Sequence, residues 1–169
     1  AGYAQVQKER ATSLSAKAMA HEAQLRMLRY QLNPHFLFNT LNAISTLILD
    51  SNNKIANEMV SKLSHFLRYS LDKDPLQRVD LDHEISTLKL YLEIEQVRFE
   101  DRLKVEFKIE NDAGKALIPS MLLQPLIENS IKYVVASREE GGKIEISAKV
   151  FAGDLHIKVQ DDGPGITME

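Results

Sequence analysis

The stretch LNPHFLFNTLN, residues 32–42, separates two helical patterns in the first fifty residues. Leucines at positions 25, 28 and 32 precede it at helical spacing, and apolar residues at 37, 41, 44 and 48 continue from it. The two patterns are out of phase, and Pro34 lies between them. A proline inside a helix removes a backbone hydrogen bond and kinks the helix. We therefore predict one long helix over about residues 5–49, bent near Pro34.

His35 directly follows this proline, so the predicted kink disturbs packing where the imidazole projects. Because histidine titrates near neutral pH, a neutral imidazole nitrogen is available as a nucleophile in the cell. Asn39 lies four residues later on the same helical face, where its amide can position a water or a phosphoryl oxygen. The stretch also suits the start of a helix, with Asn33 as its cap and His35 in the first turn. Phe36 and Phe38 would then belong to the core, and both interpretations are open.

The composition narrows the class of protein. The chain has 169 residues with a net charge of −3, from 21 Lys plus Arg and 24 Asp plus Glu, so nothing indicates a general nucleic-acid binder. It has no cysteine, which excludes disulfides, thiolate metal sites and thiol catalysis. No apolar run is long enough to cross a bilayer, and no signal peptide is visible.

A helical hairpin is predicted for the first half. After a turn at 50–53, a second apolar stripe predicts a helix over about residues 53–72. Two amphipathic helices joined by a short loop form an antiparallel hairpin. Because each buries only one face against the other, a homodimeric four-helix bundle is the natural completion. The alternative is a hairpin that packs on the C-terminal domain of its own chain.

The second half changes from a helical to an alternating pattern. A third helix is predicted over about residues 82–99, and a fourth is predicted to begin at Pro119 and run through Val135, with Pro125 as an irregularity inside it. Apolar residues that alternate with polar ones predict strands over about residues 103–109, 144–150 and 155–159. The order helix–strand–helix–strand–strand predicts an α+β fold.

Two further groups of residues can carry chemistry. Asn129 shares a helical face with Lys132 or Tyr133, so that an amide oxygen able to bind Mg²⁺ lies one turn from an ammonium that can pair with phosphate. The alternative is an amphipathic core helix with a solvated polar side. Asp161 ends a strand and is followed by Gly163 and Gly165, which let a backbone approach a ligand closely. An Asp-x-Gly-x-Gly motif alone is weak, because many tight turns share it.

In this order, the three motifs resemble the sensor histidine kinases of the autolysin-sensor (LytS-like) class. The hallmark of that class is Asn-Pro-His-Phe-Leu-Phe-Asn, which matches residues 33–39 without a mismatch. Its Glu-Asn-x-Ile-Lys box matches residues 128–132, and its Asp-x-Gly-x-Gly box matches residues 161–165. Similar short segments lie at 67–69, 91–95, 98–99 and 118–119. The resemblance extends over about residues 24–169.

The resemblance implies three regions. Residues 1–24 would be a connecting helix or coiled coil, residues 25–75 a dimerisation and histidine phosphotransfer hairpin, and residues 76–169 an incomplete ATP-binding sandwich of the Bergerat (GHKL) type. The chain would be a homodimer through the hairpin, with the receiver domain of a response regulator as partner and no nucleic acid. It would be the cytoplasmic part of a sensor that reaches the membrane only through a region outside this sequence.

The resemblance also assigns roles. The γ-phosphoryl group of ATP would pass to His35 and then to a receiver aspartate. Asn129 would bind Mg²⁺, Lys132 and Tyr133 would lie beside the phosphates and sugar, Asp161 would recognise adenine, and Gly163 and Gly165 would shape its loop. In such a transfer, catalysis consists mainly of positioning and charge neutralisation.

Three positions depart from related enzymes. Phe36 stands where many histidine kinases carry an acidic residue, so the proton acceptor is unassigned and Glu128 is only a hypothesis. Pro125 stands where ATP-hydrolysing relatives of the fold have a glutamate, so hydrolysis by an activated water is not expected. Tyr133 replaces the histidine that is common in this class.

The end of the sequence is the largest departure. The nucleotide lid, the second glycine-rich box and the last strands of the sandwich would follow residue 169, so we expect this chain alone to be inactive as a kinase. Two other functions are open. The chain could be a non-catalytic dimerisation and interaction module, or a phosphatase toward a phosphorylated response regulator that uses Asn39 to place the attacking water.

Overall fold

The computed structural model describes residues 2–31, 33–72, 74 and 76–165. The chain divides into two compact units, residues 1–39 and 40–169. The leucine pattern at 25–32 lies outside the residues whose side chains are described, as do residues 73 and 75 of the connection after the second predicted helix. No described helix combines the length and apolar character needed to cross a membrane.

The prediction of one bent helix over residues 5–49 is wrong. Helix α1 covers Gly2–Gln31 and α2 covers Pro34–Leu49, with Asn33 outside both. The Asn33 Oδ1 atom accepts the backbone N–H groups of His35 at 3.1 Å and Phe36 at 3.3 Å, which is the geometry of an N-cap. Proline suits the first helical position because its missing N–H group would have no partner there. His35 therefore lies in the first turn of α2.

Helix α3, Asn53–Leu71, packs antiparallel along helix α4, Leu81–Phe99. Both helices match their predicted ranges to within a residue or two. The Phe66 and Tyr91 rings are 5.8 Å apart, the Tyr69 and His83 rings are 4.8 Å apart, and at the other end Lys62 forms a 2.8 Å ion pair with Glu93. The buried face of α3 thus meets a helix from the second half of the chain, as the alternative to a free hairpin expected.

A three-stranded sheet forms the second layer. Strand β2, Leu103–Ile109, pairs parallel with β4, Gly142–Phe151, which pairs antiparallel with β5, Asp154–Asp161. The alternating apolar residues predicted these three strands correctly. The alternation places Ile144, Ile146 and Ala148 in the core and the charged residues on the opposite face.

Two strands of three residues were missed. Strand β1, Arg78–Asp80, pairs antiparallel with β3, Leu117–Pro119. The predicted helix start at Pro119 is therefore wrong, because Pro119 ends β3 and helix α5 covers only Gln124–Ser130. Pro125 lies in the first turn of α5, where a proline is tolerated. A π-helical turn, Ile131–Val135, continues from α5 to the end of the predicted helix.

A buried carboxylate holds the connection between β3 and α5. Glu84 of α4 is 3% exposed, and its oxygens accept the backbone N–H groups of Met121 at 3.1 Å and Leu123 at 3.3 Å. Met121 has a φ of 60°, so the chain turns sharply at this point. Burial raises the pKa of Glu84, and these N–H bonds oppose that rise. The position of α5 therefore depends on a residue about forty positions earlier in the chain.

Candidate active site

The imidazole of His35 is exposed in the first turn of α2, beside the half-buried amide of Asn39. The Asn39 Nδ2 atom lies 3.2 Å from Nδ1 and 3.3 Å from Nε2 of the ring. The amide is thus nearly equidistant from the two nitrogens and does not select one of them. Phe36 is buried at 3% exposure, whereas Phe38 is 67% exposed, so only the first of the two phenylalanines belongs to the core.

Asn129, Lys132 and Tyr133 share the exposed side of α5 and the π-helical turn. The Lys132 Nζ atom lies 4.9 Å from the centroid of the Tyr133 ring, which is 63% exposed. The structure therefore brings together an amide, an ammonium group and a phenol on one solvent-facing surface. The opposite side of the same segment is apolar and buried, through Ile127, Ile131 and Val135.

Asp161 at the end of β5 joins this segment to the glycine loop. Its Oδ2 atom accepts the hydroxyl of Ser130 at 2.7 Å, and its Oδ1 atom accepts the backbone N–H of Gly163 at 3.1 Å. A side chain at Gly163 would begin 2.6 Å from a methyl group of Val134. The glycine is therefore needed for close approach of the loop to the π-helical turn.

Gly165 has a different reason to be glycine. Its φ is +76°, a conformation that side chains disfavour, although open space surrounds the position of a Cβ atom. Asp162 lies between Asp161 and Gly163 in the chain. Its Oδ1 atom accepts the backbone N–H of Lys143 at 3.1 Å and Nη1 of Arg138 at 3.2 Å. The segments that carry the second and third predicted groups are thus joined in the unit of residues 40–169, by the Ser130–Asp161 hydrogen bond and the packing of Gly163 on Val134.

Arg102, which lies outside the π-helical turn, binds the backbone at the point where this turn ends. Its Nη2 atom donates to the backbone oxygens of Val135 at 3.1 Å and Arg138 at 2.6 Å. The guanidinium also lies 5.7 Å from the ring centroid of Phe99. Sequence reasoning missed Arg102 and Ser130, because no local spacing connects them with the residues that they hold.

A buried charged group lies behind the exposed surface. Glu95 of α4 is 2% exposed and pairs with Arg98 at 2.7 Å. Burial raises the pKa of Glu95 to about 7, with Arg98 opposing the rise and the negative charge of Glu128 adding to it. Burial also raises the pKa of Tyr91. The segment of residues 91–99 therefore contains a buried ion pair, and the pKa of its carboxylate depends on the charge of Glu128 in α5.

Glu128 itself is half-buried, and its Oε1 atom accepts the side-chain amide of Gln124 at 2.8 Å. This bond holds the carboxylate against its own helix, one position before the exposed Asn129. Glu128 as proton acceptor stays a hypothesis.

The exposed side chains of this segment suit a magnesium ion that is already bound to the phosphates of a nucleotide. Within residues 2–31, 33–72, 74 and 76–165, no group of three or more His, Cys, Asp or Glu side chains could hold a metal ion. Mg²⁺ commonly takes only one or two protein oxygens, with the remaining positions filled by substrate phosphates and water. The exposed amide of Asn129 fits that requirement, with Lys132 one turn away.

Comparisons with known proteins match two stretches of the chain to two family models. A family model described as Histidine kinase matches residues 23–103. A second, described as Histidine kinase-, DNA gyrase B-, and HSP90-like ATPase, matches residues 114–169. The first match ends at the first residue of β2, and residues 104–113 lie between the two matches.

Two groups of curated relatives match most of the chain. The sensor histidine kinase YpdA of Escherichia coli (strain K12) is 38% identical over 162 residues, which cover 96% of this chain and 28% of the relative. The sensor histidine kinase/phosphatase LytS of Staphylococcus aureus (strain MRSA252) is 36% identical over 149 residues, which cover 88% of this chain and 25% of the relative. The chain thus spans about a quarter of the length of these relatives.

Proposed function

Because the chain belongs to the sensor histidine kinases of the LytS-like class, with a partial GHKL-type ATP-binding fold, we propose that it transfers the γ-phosphoryl group of Mg-ATP to His35. The observation that carries this proposal is the hydrogen bond between Ser130 and Asp161, which joins the segment of Asn129 and Lys132 to the glycine loop. An exposed amide, an ammonium and a fixed carboxylate lie there on adjoining segments, and the exposed imidazole of His35 lies in the other unit of the chain.

Each of these residues has a separate role in the proposed phosphoryl transfer. A neutral nitrogen of His35 attacks the γ-phosphorus with its lone pair, a P–N bond forms, and the bond from phosphorus to the leaving oxygen of ADP breaks. Lys132 would pair with the phosphates, and Asp161 would accept a hydrogen bond from the amine of adenine. Mg²⁺, held by Asn129 and the phosphates, would supply charge neutralisation. The phosphoryl group would then pass to an aspartate of a receiver domain.

This proposal is tested by incubation with γ-³²P-labelled ATP and Mg²⁺. The chain is compared with a longer form that continues past residue 169, each with Asn129→Ala and with Asn57→Ala as a control on an exposed position of α3. We expect this chain alone to stay unlabelled, and the longer form to lose at least about 90% of its label with Asn129→Ala and to keep it with Asn57→Ala. Equal labelling of the two variants, or no labelling of either form, would overturn the proposal.

A homodimer is part of the same proposal. Leu41 and Ile48 of α2 are 54% and 55% exposed, and Ile55 and Val60 of α3 are 43% and 46% exposed. Apolar side chains at this density on neighbouring segments support contact with a second copy. Leu41→Glu should give a monomer in light scattering after size-exclusion chromatography. Leu117→Glu, on β3 and 62% exposed, should leave the dimer intact. A dimer that survives Leu41→Glu contradicts this surface.

A second activity is favoured by the contact between Asn39 and His35. The amide lies where it can hold a water beside the imidazole, and LytS of Staphylococcus aureus is named a kinase/phosphatase. We propose removal of phosphate from a phosphorylated receiver domain as this second activity. Asn39→Ala should abolish it while His35 is still labelled, and Asn42→Ala on the same helix should preserve it. Loss of both activities in Asn39→Ala would instead indicate a structural role.

A further inference from the structure

Ser130 occupies an unusual position between the two nucleotide motifs. It is the last residue of α5 and is 7% exposed, and its hydroxyl donates to the Asp161 Oδ2 atom at 2.7 Å. A carboxylate can only accept hydrogen bonds, so the single proton of the hydroxyl is committed to Asp161. Hydrogen bonds of this length to a charged oxygen are among the stronger ones in proteins.

The other oxygen of Asp161 is held from the opposite side. Oδ1 accepts the backbone N–H of Gly163 at 3.1 Å, and Gly163 packs so closely on Val134 that a side chain there would meet it at 2.6 Å. Helix and loop therefore each supply one donor to the same carboxylate. Because each carboxylate oxygen can accept about two hydrogen bonds, each keeps room for one more donor.

This arrangement presents acceptors and no free side-chain donor. The Ser130 hydroxyl already donates its proton to Asp161, and a carboxylate has no proton to donate. The pair therefore favours a base that brings an N–H group and repels one that brings a carbonyl oxygen. We propose that Ser130 is a positioning residue that holds Asp161 for selection of a 6-amino purine over a 6-oxo purine. This inference rests on the proposed function, in which Asp161 meets the base of the nucleotide.

The test is equilibrium binding of three nucleoside triphosphates to the longer form of the protein. ATP carries an amine at position 6, purine riboside triphosphate carries hydrogen there, and ITP carries a carbonyl. The variants are Ser130→Ala and, as a matched control, Ser137→Ala. The hydroxyl of Ser137 donates to the backbone oxygen of Tyr133 at 2.6 Å, so this control also loses one helix-end hydroxyl.

We expect the unsubstituted protein to bind ATP about tenfold more tightly than purine riboside triphosphate, and ITP least tightly. Ser130→Ala should reduce the preference for ATP over purine riboside triphosphate by about three- to tenfold, through weaker ATP binding. Ser137→Ala should leave this ratio unchanged. A ratio of dissociation constants does not depend on the fraction of folded protein, so partial unfolding cannot imitate the result.

The outcomes separate the two claims. If the unsubstituted protein selects ATP and Ser130→Ala selects it equally well, the role of Ser130 is overturned while the proposed function stands. If ITP binds as tightly as ATP, selection by the acceptor pair is overturned. If the unsubstituted protein binds none of the three, the proposed function fails, and the role of Ser130 fails with it.

Discussion

The segment around His35 and the segment around Asn129 are held in place by different kinds of contacts. Near His35 the hydrogen bonds are local, from Asn33 to the next two or three residues and from Asn39 back by one turn. Near Asn129 they join residues about thirty to forty positions apart, as in the pairs Ser130–Asp161 and Arg102–Val135. A local cap leaves the imidazole accessible, whereas long-range bonds fix the segments of the proposed nucleotide site relative to each other.

We expect the largest effect on the free energy of unfolding from a substitution in the loop before β4. Gly141 has a φ of +73°, and a Cβ atom there would lie 2.0 Å from the backbone oxygen of Arg102. Gly141→Ala should therefore lower the free energy of unfolding by about 4 kcal/mol, from backbone strain and a clash that only the backbone can relieve. Chemical denaturation followed by circular dichroism measures this change.

Gly153→Ala is the matched control. Gly153 has a φ of +85° in the turn between β4 and β5, but nothing lies within 4 Å of the added atom. It should cost only about 1 kcal/mol, from strain alone. Equal costs for the two substitutions would contradict the importance of the long-range contact between Gly141 and Arg102.

The buried carboxylate of Glu95 predicts a pH dependence. Burial raises its pKa to about 7 in the folded protein, from an ordinary value of 4.5. Between these pH values the folded state keeps a proton that the unfolded state has lost, so the free energy of unfolding falls as the pH rises from 4.5 to 7. The expected total is about 3 kcal/mol.

Denaturation at a series of pH values between 4 and 8, on the order of one unit apart, tests this slope. Glu95→Gln should make it shallower, because the amide does not titrate, and the raised pKa of Glu84 leaves a smaller slope of the same sign. Glu93→Gln removes an exposed carboxylate two positions away on α4 and should leave the slope unchanged. A slope in Glu95→Gln as steep as in the unsubstituted protein would assign the pH dependence to other groups.

The smallest effect is expected at the cap of α2. Asn33→Ala removes the acceptor for two backbone N–H groups and should cost about 1 kcal/mol, confined to the first turn. Amide hydrogen exchange at His35 and Phe36 should then be about fivefold faster. Asn52→Ala is the control, since Asn52 precedes α3 without a side-chain cap bond. If Asn52→Ala accelerates exchange at the start of α3 as much as Asn33→Ala does at the start of α2, the side-chain cap of Asn33 is not the cause.

These contrasts explain what the sequence could predict. His35, Asn39 and Asn129 lie in motifs whose chemistry depends on spacing within one helix, so they can be proposed as site residues without a structure. The break before α2 is also encoded locally, by Asn33 and Pro34, but a proline between two helical patterns fits a kink as well as a helix start.

The remaining features depend on distant partners. Strands β1 and β3 have three residues each, too few to show alternation, and they form because they pair with each other. Helix α5 begins at Gln124, because Glu84 holds the preceding turn through Met121 and Leu123. A buried serine signals that it needs a partner, but nothing in the sequence identifies that partner as Asp161.

The most direct test of the central claim is the position of the phosphoryl group. The longer form of the protein is labelled with γ-³²P-labelled ATP and Mg²⁺, as the unsubstituted chain, as His35→Gln and as His65→Gln, an exposed histidine of α3. The account predicts a label that is labile in acid and stable in alkali, lost in His35→Gln and retained in His65→Gln. A label that survives in His35→Gln would contradict it.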